Sequence, residues 1–209
     1  NNMNWRQRWL EEKKELFTFL PADKINLHDK ILAKSFLKLL PPSITPNQIS
    51  IFRLLTTPLV FWLTYKESYI LGIAAFLLLA FSDALDGSLA RTQNKITKFG
   101  MLFDPLADKI LVGSMVLILV FRFLNPWLGI IIIGIEIIFV ISALVYKHKF
   151  KKVKMANLWG KIKMVLQVVA IFLILLGLLL NYPVLLTIAS GLFGLVIGFA
   201  LVSLFTHGL

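Results

Sequence analysis

The chain contains no cysteine among its 209 residues. Disulfides and thiolate-ligated metals are therefore excluded, and the redox compartment is left open. Histidine is nearly as scarce: His28, His148 and His207 lie far apart and form no ligand set. Charge is also sparse, at 16% of residues, where an average soluble domain carries about a quarter. Acid is the scarcer sign, with 11 Asp and Glu against 22 Lys and Arg. The stretch "NNMNWRQRWLEEKKELF" lacks the apolar run of a signal peptide, so insertion is expected to begin at an internal helix.

Apolar residues are what the chain has in excess. They make up 58% of it, and the mean hydropathy is +0.82. They come in long unbroken runs rather than amphipathic stripes, which is the pattern of an integral membrane protein. Six runs are read, at 48–65, 68–86, 101–123, 126–146, 159–180 and 183–206. Each has about the length a helix needs to cross roughly 30 Å of hydrocarbon. Lipid cannot satisfy backbone polar groups, and the Leu/Ile runs lack the alternation of a barrel, so helices are expected. The expected fold is all-α and polytopic, with six transmembrane helices at 46–209 preceded by an N-terminal amphipathic arm at 1–45. Within the arm, "WRQRWLEEKKELFTFL" and "KINLHDKILAKSFLKLL" carry apolar residues at helical spacing with basic residues between, as interfacial helices do. A solvated helical arm is the competing reading. "PPSITPN" then interrupts the pattern.

The formal net charge is +11. A basic chain can bind nucleic acid, but membrane proteins gather Lys and Arg on the cytoplasmic side for topological reasons. Distribution favours the second explanation. The arm holds eight Lys/Arg, the 87–100 loop holds Arg91, Lys95 and Lys98, and the 147–158 loop holds Lys147, Lys149, Lys151, Lys152 and Lys154. The opposite-side connections offer Lys66 and Arg122. Both termini and the 87–100 loop are therefore expected on the cytoplasmic face of a bacterial-type inner or plasma membrane, with no nucleic-acid partner.

Beyond Glu67 the acidic residues are Asp83, Asp86, Asp104, Asp108 and Glu136, and four of them fall within 26 positions. An Asp at mid-bilayer costs roughly 2.5–3.5 kcal/mol on insertion scales. Asp83 and Asp86 are three apart, and Asp104 and Asp108 are four apart, so each pair shares a helix face. The first pair closes the second run and the second opens the third, so neighbouring helices would bring all four to one level. Such carboxylates repel unless a cation sits among them. Oxygen ligands without His or Cys favour Mg2+, Mn2+ or Ca2+ over zinc. A divalent cation flanked by Arg91, Lys95 and Lys98 suits a phosphate or pyrophosphate, with a remaining carboxylate free to serve as base. Gly87, Ala90 and Gly100 leave room for a ligand near the backbone, although Gly87 reads equally as a helix C-cap and Gly100 as a turn. An ion pathway is the functional rival, but pathway carboxylates usually scatter with depth. Arg53 either reaches a phosphate or snorkels to the interface.

Taken as a pattern, Asp83-x-x-Asp86-Gly87-x-x-Ala90-Arg91, eight residues, then Gly100-x-x-x-Asp104-x-x-x-Asp108 resembles the complete signature of the CDP-alcohol phosphotransferases. "TPNQISIFRLLTTP" (45–58) and "WGKIKMVLQ" (159–167) are similar to other segments of that family. The resemblance spans about residues 44 to 206 and leaves out the arm. It implies an integral membrane enzyme, often a homodimer, that joins a CDP-linked lipid to an alcohol and releases CMP. It implies that Asp83, Asp86, Asp104 and Asp108 hold two divalent cations, Mg2+ or Mn2+, on the pyrophosphate. Asp108 would deprotonate the acceptor hydroxyl, and Gly87, Ala90, Arg91 and Gly100 would line the CDP-lipid site.

"FDPLADK" (103–109) resembles the branches that transfer from CDP-diacylglycerol to glycerol 3-phosphate or, in eukaryotic-type cardiolipin synthases, to phosphatidylglycerol, more than the inositol or serine branches. "GKIK" (160–163) resembles the glycerol 3-phosphate branch. Lys161, Lys163 and the 147–154 cluster beginning at Lys147 would then bind the acceptor phosphate, although topology explains that cluster equally well. One feature departs from the branch: it commonly has Arg-Glu in the fourth helix, where this chain has Ile135-Glu136. Glu136 reads as a buried group paired with a lysine, with a role at the site as the alternative. Phosphatidylglycerol, in a cardiolipin synthase-type transfer, is the second candidate acceptor. Outside enzymology stand an ion-coupled transporter and a basic scaffold whose acids merely balance nearby lysines.

Overall fold

A computed structural model describes residues 19–20, 29, 32, 35–37, 41, 44–150 and 158–206. Most of the expected arm therefore lies outside the described residues, as do 151–157. Six long helices are present among the described residues: α1 (Pro46–Tyr65), α2 (Tyr69–Thr92), α3 (Lys98–Phe123), α4 (Pro126–Phe150), α5 (Leu158–Leu180) and α6 (Pro183–Thr206). Two short strands, β1 (Phe19–Leu20) and β2 (Ile96–Thr97), pair antiparallel with Phe19 opposite Thr97 and Leu20 opposite Ile96. The strand at 19–20 departs from the helical spacing of the arm.

The helix ends follow local chemistry. At the start of α1, the Thr45 N–H donates to Gln48 Oε1 at 2.8 Å and the Gln48 N–H to Thr45 Oγ1 at 3.4 Å. This is a reciprocal capping box with Pro46 in the first helical position, where its missing N–H costs nothing. The Pro46-Asn47 pair thus opens a helix. Asn125 caps α4 ahead of Pro126 in a related way, accepting from the Trp127 N–H at 2.9 Å. Three helices close alike. Glu67, Asn94 and Asn181 take left-handed φ values of 60°, 52° and 52°. The next N–H in each case reaches back five residues, from Ser68 to Leu63, Lys95 to Ala90 and Tyr182 to Gly177, closing each end as a Schellman motif.

These ends move two expected boundaries. α2 runs six residues past Asp86, and α3 begins at Lys98 rather than 101. The expected 87–100 loop shrinks to a short connection, and Gly87, Ala90 and Arg91 ride on helix. Gly87 is interior to α2, and Asn94 supplies the left-handed residue that a C-cap glycine would have supplied.

The chain divides into two compact units. One comprises Asn1–Thr56 with Leu78–Asp108, the other Thr57–Leu77 with Lys109–Leu209. In the first, Leu37, Leu89 and Ala107 are buried, and Phe36 meets Phe81 edge-on at 5.1 Å. In the second, α5 packs along α6 and the core includes Met115, Leu119, Ile132, Ile171, Ile174, Leu175 and Phe193. Large apolar side chains also face outward, among them Leu71 and Leu78 of α2, Ile130 and Ile138 of α4, and Leu195 of α6. Water would penalise that surface, whereas lipid accepts it. By length and hydropathy, Tyr69–Thr92, Trp159–Leu180 and Pro183–Leu204 can cross a membrane, while the apolar stretch Pro126–Ser142 is shorter. The chain is a helical membrane protein.

Candidate active site

The first unit gathers the acidic residues around α1. Asp83 and Asp86 lie one turn apart on α2, and Asp104 and Asp108 one turn apart on α3. Arg53 of α1 is fully buried. Its NH1 donates to Asp83 Oδ1 and its NH2 to Asp86 Oδ2, each at 2.6 Å. One turn earlier, Ser50 Oγ lies 2.6 Å from Asp104 Oδ1 and 3.0 Å from Asp86 Oδ2. Its single proton serves one carboxylate at a time, and the shorter distance favours Asp104. Three aspartates from two helices are thus linked through two side chains of a third. Asp108 is buried, and the Arg53 guanidinium lies within the field of both Asp104 and Asp108. The spacing of the acids demanded a cation among them. Arg53 supplies one positive charge among them, and its full burial rules out snorkelling to an interface.

The start of α3 fixes where Asp104 points. Thr97 is the N-cap: its Oγ1 accepts from the Gly100 N–H at 2.9 Å and donates to Asn47 Oδ1 at 2.9 Å. A Cβ at Gly100 would lie 2.9 Å from Asn47 Oδ1, 3.1 Å from Thr97 Oγ1 and 3.5 Å from Asp104 Oδ2. A side chain there would press on two hydrogen-bonded side-chain oxygens, and the glycine is the third residue of a helix rather than part of a turn.

On α2, Gly87 lies under the side chain of Arg91. A Cβ at position 87 would stand 3.3 Å from both terminal guanidinium nitrogens. Arg91 is held from its other side by the buried Asp29, whose Oδ2 accepts from Nε at 2.9 Å and whose Oδ1 accepts from NH2 at 2.7 Å. Ser88 Oγ donates to the same Oδ1 at 2.8 Å. Ala90 is half-buried.

Of the candidate acceptor lysines, Lys161 and Lys163 point different ways. Lys161 is exposed and Lys163 is buried, as two residues two apart on a helix must face different ways. In the second unit Lys163 Nζ donates to Glu136 Oε1 at 2.5 Å, Gln167 Nε2 donates to the same oxygen at 2.8 Å, and the ammonium stands 4.6 Å from the Phe139 ring centre. Glu136 is half-buried and paired with a lysine; the pairing matches the reading of the sequence, the burial is only partial. The side chain of Lys147 lies outside the described residues.

Residues 43–203 match the CDP-alcohol phosphatidyltransferase family. The chain belongs to that family. Over 109 residues it is 35% identical to the CDP-diacylglycerol--glycerol-3-phosphate 3-phosphatidyltransferase of Aquifex aeolicus, a match covering 50% of this chain and 61% of that one. Proteins of the same name match from Pseudomonas fluorescens, at 42% over 105 residues (47% and 53% of the two chains), and from Bacillus subtilis, at 38% over 111 residues (52% and 56%). The chain spans about half the length of the curated relatives it matches.

CDP-alcohol phosphatidyltransferases generally depend on divalent cations, and the donor chemistry here fits one. Four carboxylates against one guanidinium leave an excess of negative charge, and all the donors are hard oxygens. Among the described residues, however, no three His, Cys, Asp or Glu side chains are grouped as a ready ligand set. Sequence reasoning passed over Ser50, Ser88 and Asp29. Ser50 had a faint signal, sharing a helix face with Arg53 in an apolar segment. Asp29 had none, since nothing local marks it from the other acids of a basic arm.

Proposed function

We propose that the protein is a CDP-diacylglycerol-dependent phosphatidyltransferase that transfers a phosphatidyl group to glycerol 3-phosphate and releases CMP. The observation that carries this reading is the gathering of the motif aspartates of α2 and α3 around Ser50 and Arg53, in a chain of the CDP-alcohol phosphatidyltransferase family. Relatives named for glycerol 3-phosphate supply the acceptor. In this reading Asp83, Asp86, Asp104 and Asp108 hold two divalent cations, Mg2+ or Mn2+, which would offset the charge of the pyrophosphate and leaving CMP. Asp108 accepts the proton of the acceptor hydroxyl, whose oxygen attacks the lipid-side phosphorus. Gly87, Ala90, Arg91 and Gly100 form the CDP-lipid site, with Arg91 donating to phosphate oxygens. The protein would cross the membrane six times, with both termini and this site on the cytoplasmic side, and act as a homodimer.

The pairing of Lys163 with Glu136 favours keeping phosphatidylglycerol as a second acceptor, because that lysine is already engaged. The test is CMP release from CDP-diacylglycerol with Mg2+ or Mn2+, comparing glycerol 3-phosphate, phosphatidylglycerol, inositol phosphate and serine. Glycerol 3-phosphate should give the highest turnover, and Asp108→Asn should reduce it by at least a hundredfold. Folded protein that releases no CMP with any acceptor would sink the assignment. Cation flux in liposomes without nucleotide, abolished by Asp108→Asn, would replace it with transport.

A further inference from the structure

Asp29 lies outside the family match, which begins at residue 43, yet its side chain is fully buried against α2. Three donors converge on it: Ser88 Oγ at 2.8 Å, Arg91 Nε at 2.9 Å and Arg91 NH2 at 2.7 Å. Its carboxylate thus grips the lateral edge of the guanidinium, the edge formed by Nε and NH2. A guanidinium has five N–H donors in a rigid fork. A bidentate grip on the lateral edge leaves the terminal edge, NH1 with the second proton of NH2, for another anion. The Arg91 side chain as a whole keeps 32% of its surface exposed. Gly87 lets those two terminal nitrogens lie close to the helix, where a Cβ at position 87 would stand 3.3 Å from each. The backbone adds a second attachment nearby, where β1 at 19–20 pairs with β2 just past the end of α2.

We infer that Asp29, supplied by the segment preceding the family-matched region, is a positioning residue that locks the Arg91 guanidinium in the orientation that receives a phosphate of the CDP-lipid. The inference rests on the proposed phosphatidyltransferase reading, which places Arg91 in the CDP-lipid site. A long flexible side chain that must be ordered on binding costs affinity, and one already ordered does not. The charge of Asp29 acts in the opposite direction, because a carboxylate near the site repels a phosphate. Orientation and charge therefore predict opposite signs when the charge is removed.

The experiment is steady-state CMP release by purified full-length protein in detergent or vesicles, comparing wild type with Asp29→Asn. The KM for CDP-diacylglycerol should rise about tenfold, while kcat and the KM for the acceptor each change by less than twofold. An unchanged or lowered KM for CDP-diacylglycerol overturns the inference, the lowered value showing that only charge was at stake. Proportional loss in kcat and both KM values, tracking a lower melting temperature, also overturns it and leaves Asp29 a purely structural group. If Asp29→Asn does not fold, Ser88→Ala decides, because it removes one donor from the same carboxylate without stranding a charge. A rise of twofold or more in the KM for CDP-diacylglycerol then supports the inference, and no rise overturns it. Wild-type protein that releases no CMP overturns the phosphatidyltransferase reading and this inference with it, whereas active wild type with an unaltered variant overturns this inference alone.

Discussion

Arg53 is fully buried, and burial is tolerable because it bridges two carboxylates. A buried charge without a partner is expensive, and removing one partner of a buried pair typically costs about 3–5 kcal/mol. Arg53→Gln should therefore destabilise the protein by about that amount in EDTA, read as a lowered melting temperature in detergent. The same substitution leaves Asp83, Asp86 and Asp104 with less positive charge nearby. If a divalent cation shares those carboxylates, it should stabilise the variant more than the wild type. A ligand at a hundred times its dissociation constant contributes about 2.7 kcal/mol, so saturating Mn2+ should recover a large part of the loss. Equal shifts in both proteins would separate the cation from these acids. Ser50 is subtler, since its one proton is contested between Asp86 and Asp104. Both side chains sit on α1 although the acids they serve come from α2 and α3.

The start of α3 is fixed by its cap and by a neighbouring helix. Thr97 caps α3 through the Gly100 N–H and ties it to Asn47 of α1. Thr97→Ala should cost about 1 kcal/mol as a lost N-cap, and it should lower kcat because Asp104 lies in the second turn of that helix. Gly100→Ala should do more. Its Cβ would press on Asn47 and Thr97 side-chain oxygens at 2.9 and 3.1 Å, so we expect CMP release to fall at least tenfold while far-UV circular dichroism is unchanged. Wild-type turnover by Gly100→Ala would show that the α1–α3 junction tolerates the shift. What sequence disclosed about these elements follows a physical divide. The six helices were legible because uninterrupted apolar runs have one good solution in lipid. The carboxylate pairs were legible because three- and four-residue spacings fix a helix face. The end of α2 and the start of α3 escape the sequence because Gly87 and Gly100 read as punctuation, whereas both lie inside helices against side chains; Asn94 closes α2 and Thr97 opens α3. The partners of the acids were not legible at all. Ser50 to Asp104, Arg53 to Asp83 and Asp29 to Arg91 join residues tens of positions apart, and no local period encodes such pairings.

At the scale of the whole molecule, many large apolar side chains of the described helices face outward. The basic residues add a direction: eight in the arm and five at 147–154 against Lys66 and Arg122 on the connections that would face away. If that asymmetry sets orientation, the two ends of α2 lie in different compartments. α2 has 24 residues, about 36 Å at 1.5 Å per residue, enough to cross the roughly 30 Å of a hydrocarbon core. Because the chain has no cysteine, the orientation can be read without background. Lys66 and Gln93 are both exposed, in the connections before and after α2, so each can be replaced singly by cysteine without emptying a core. In intact spheroplasts a membrane-impermeant maleimide should label Lys66→Cys and spare Gln93→Cys. In inverted vesicles the pattern should reverse. The opposite pattern would place the carboxylates on the outer face, away from cytoplasmic CDP-lipid headgroups, and would overturn both the orientation and the reaction proposed for them. Labelling of both positions from one side would mean that α2 does not cross, despite its length and hydropathy.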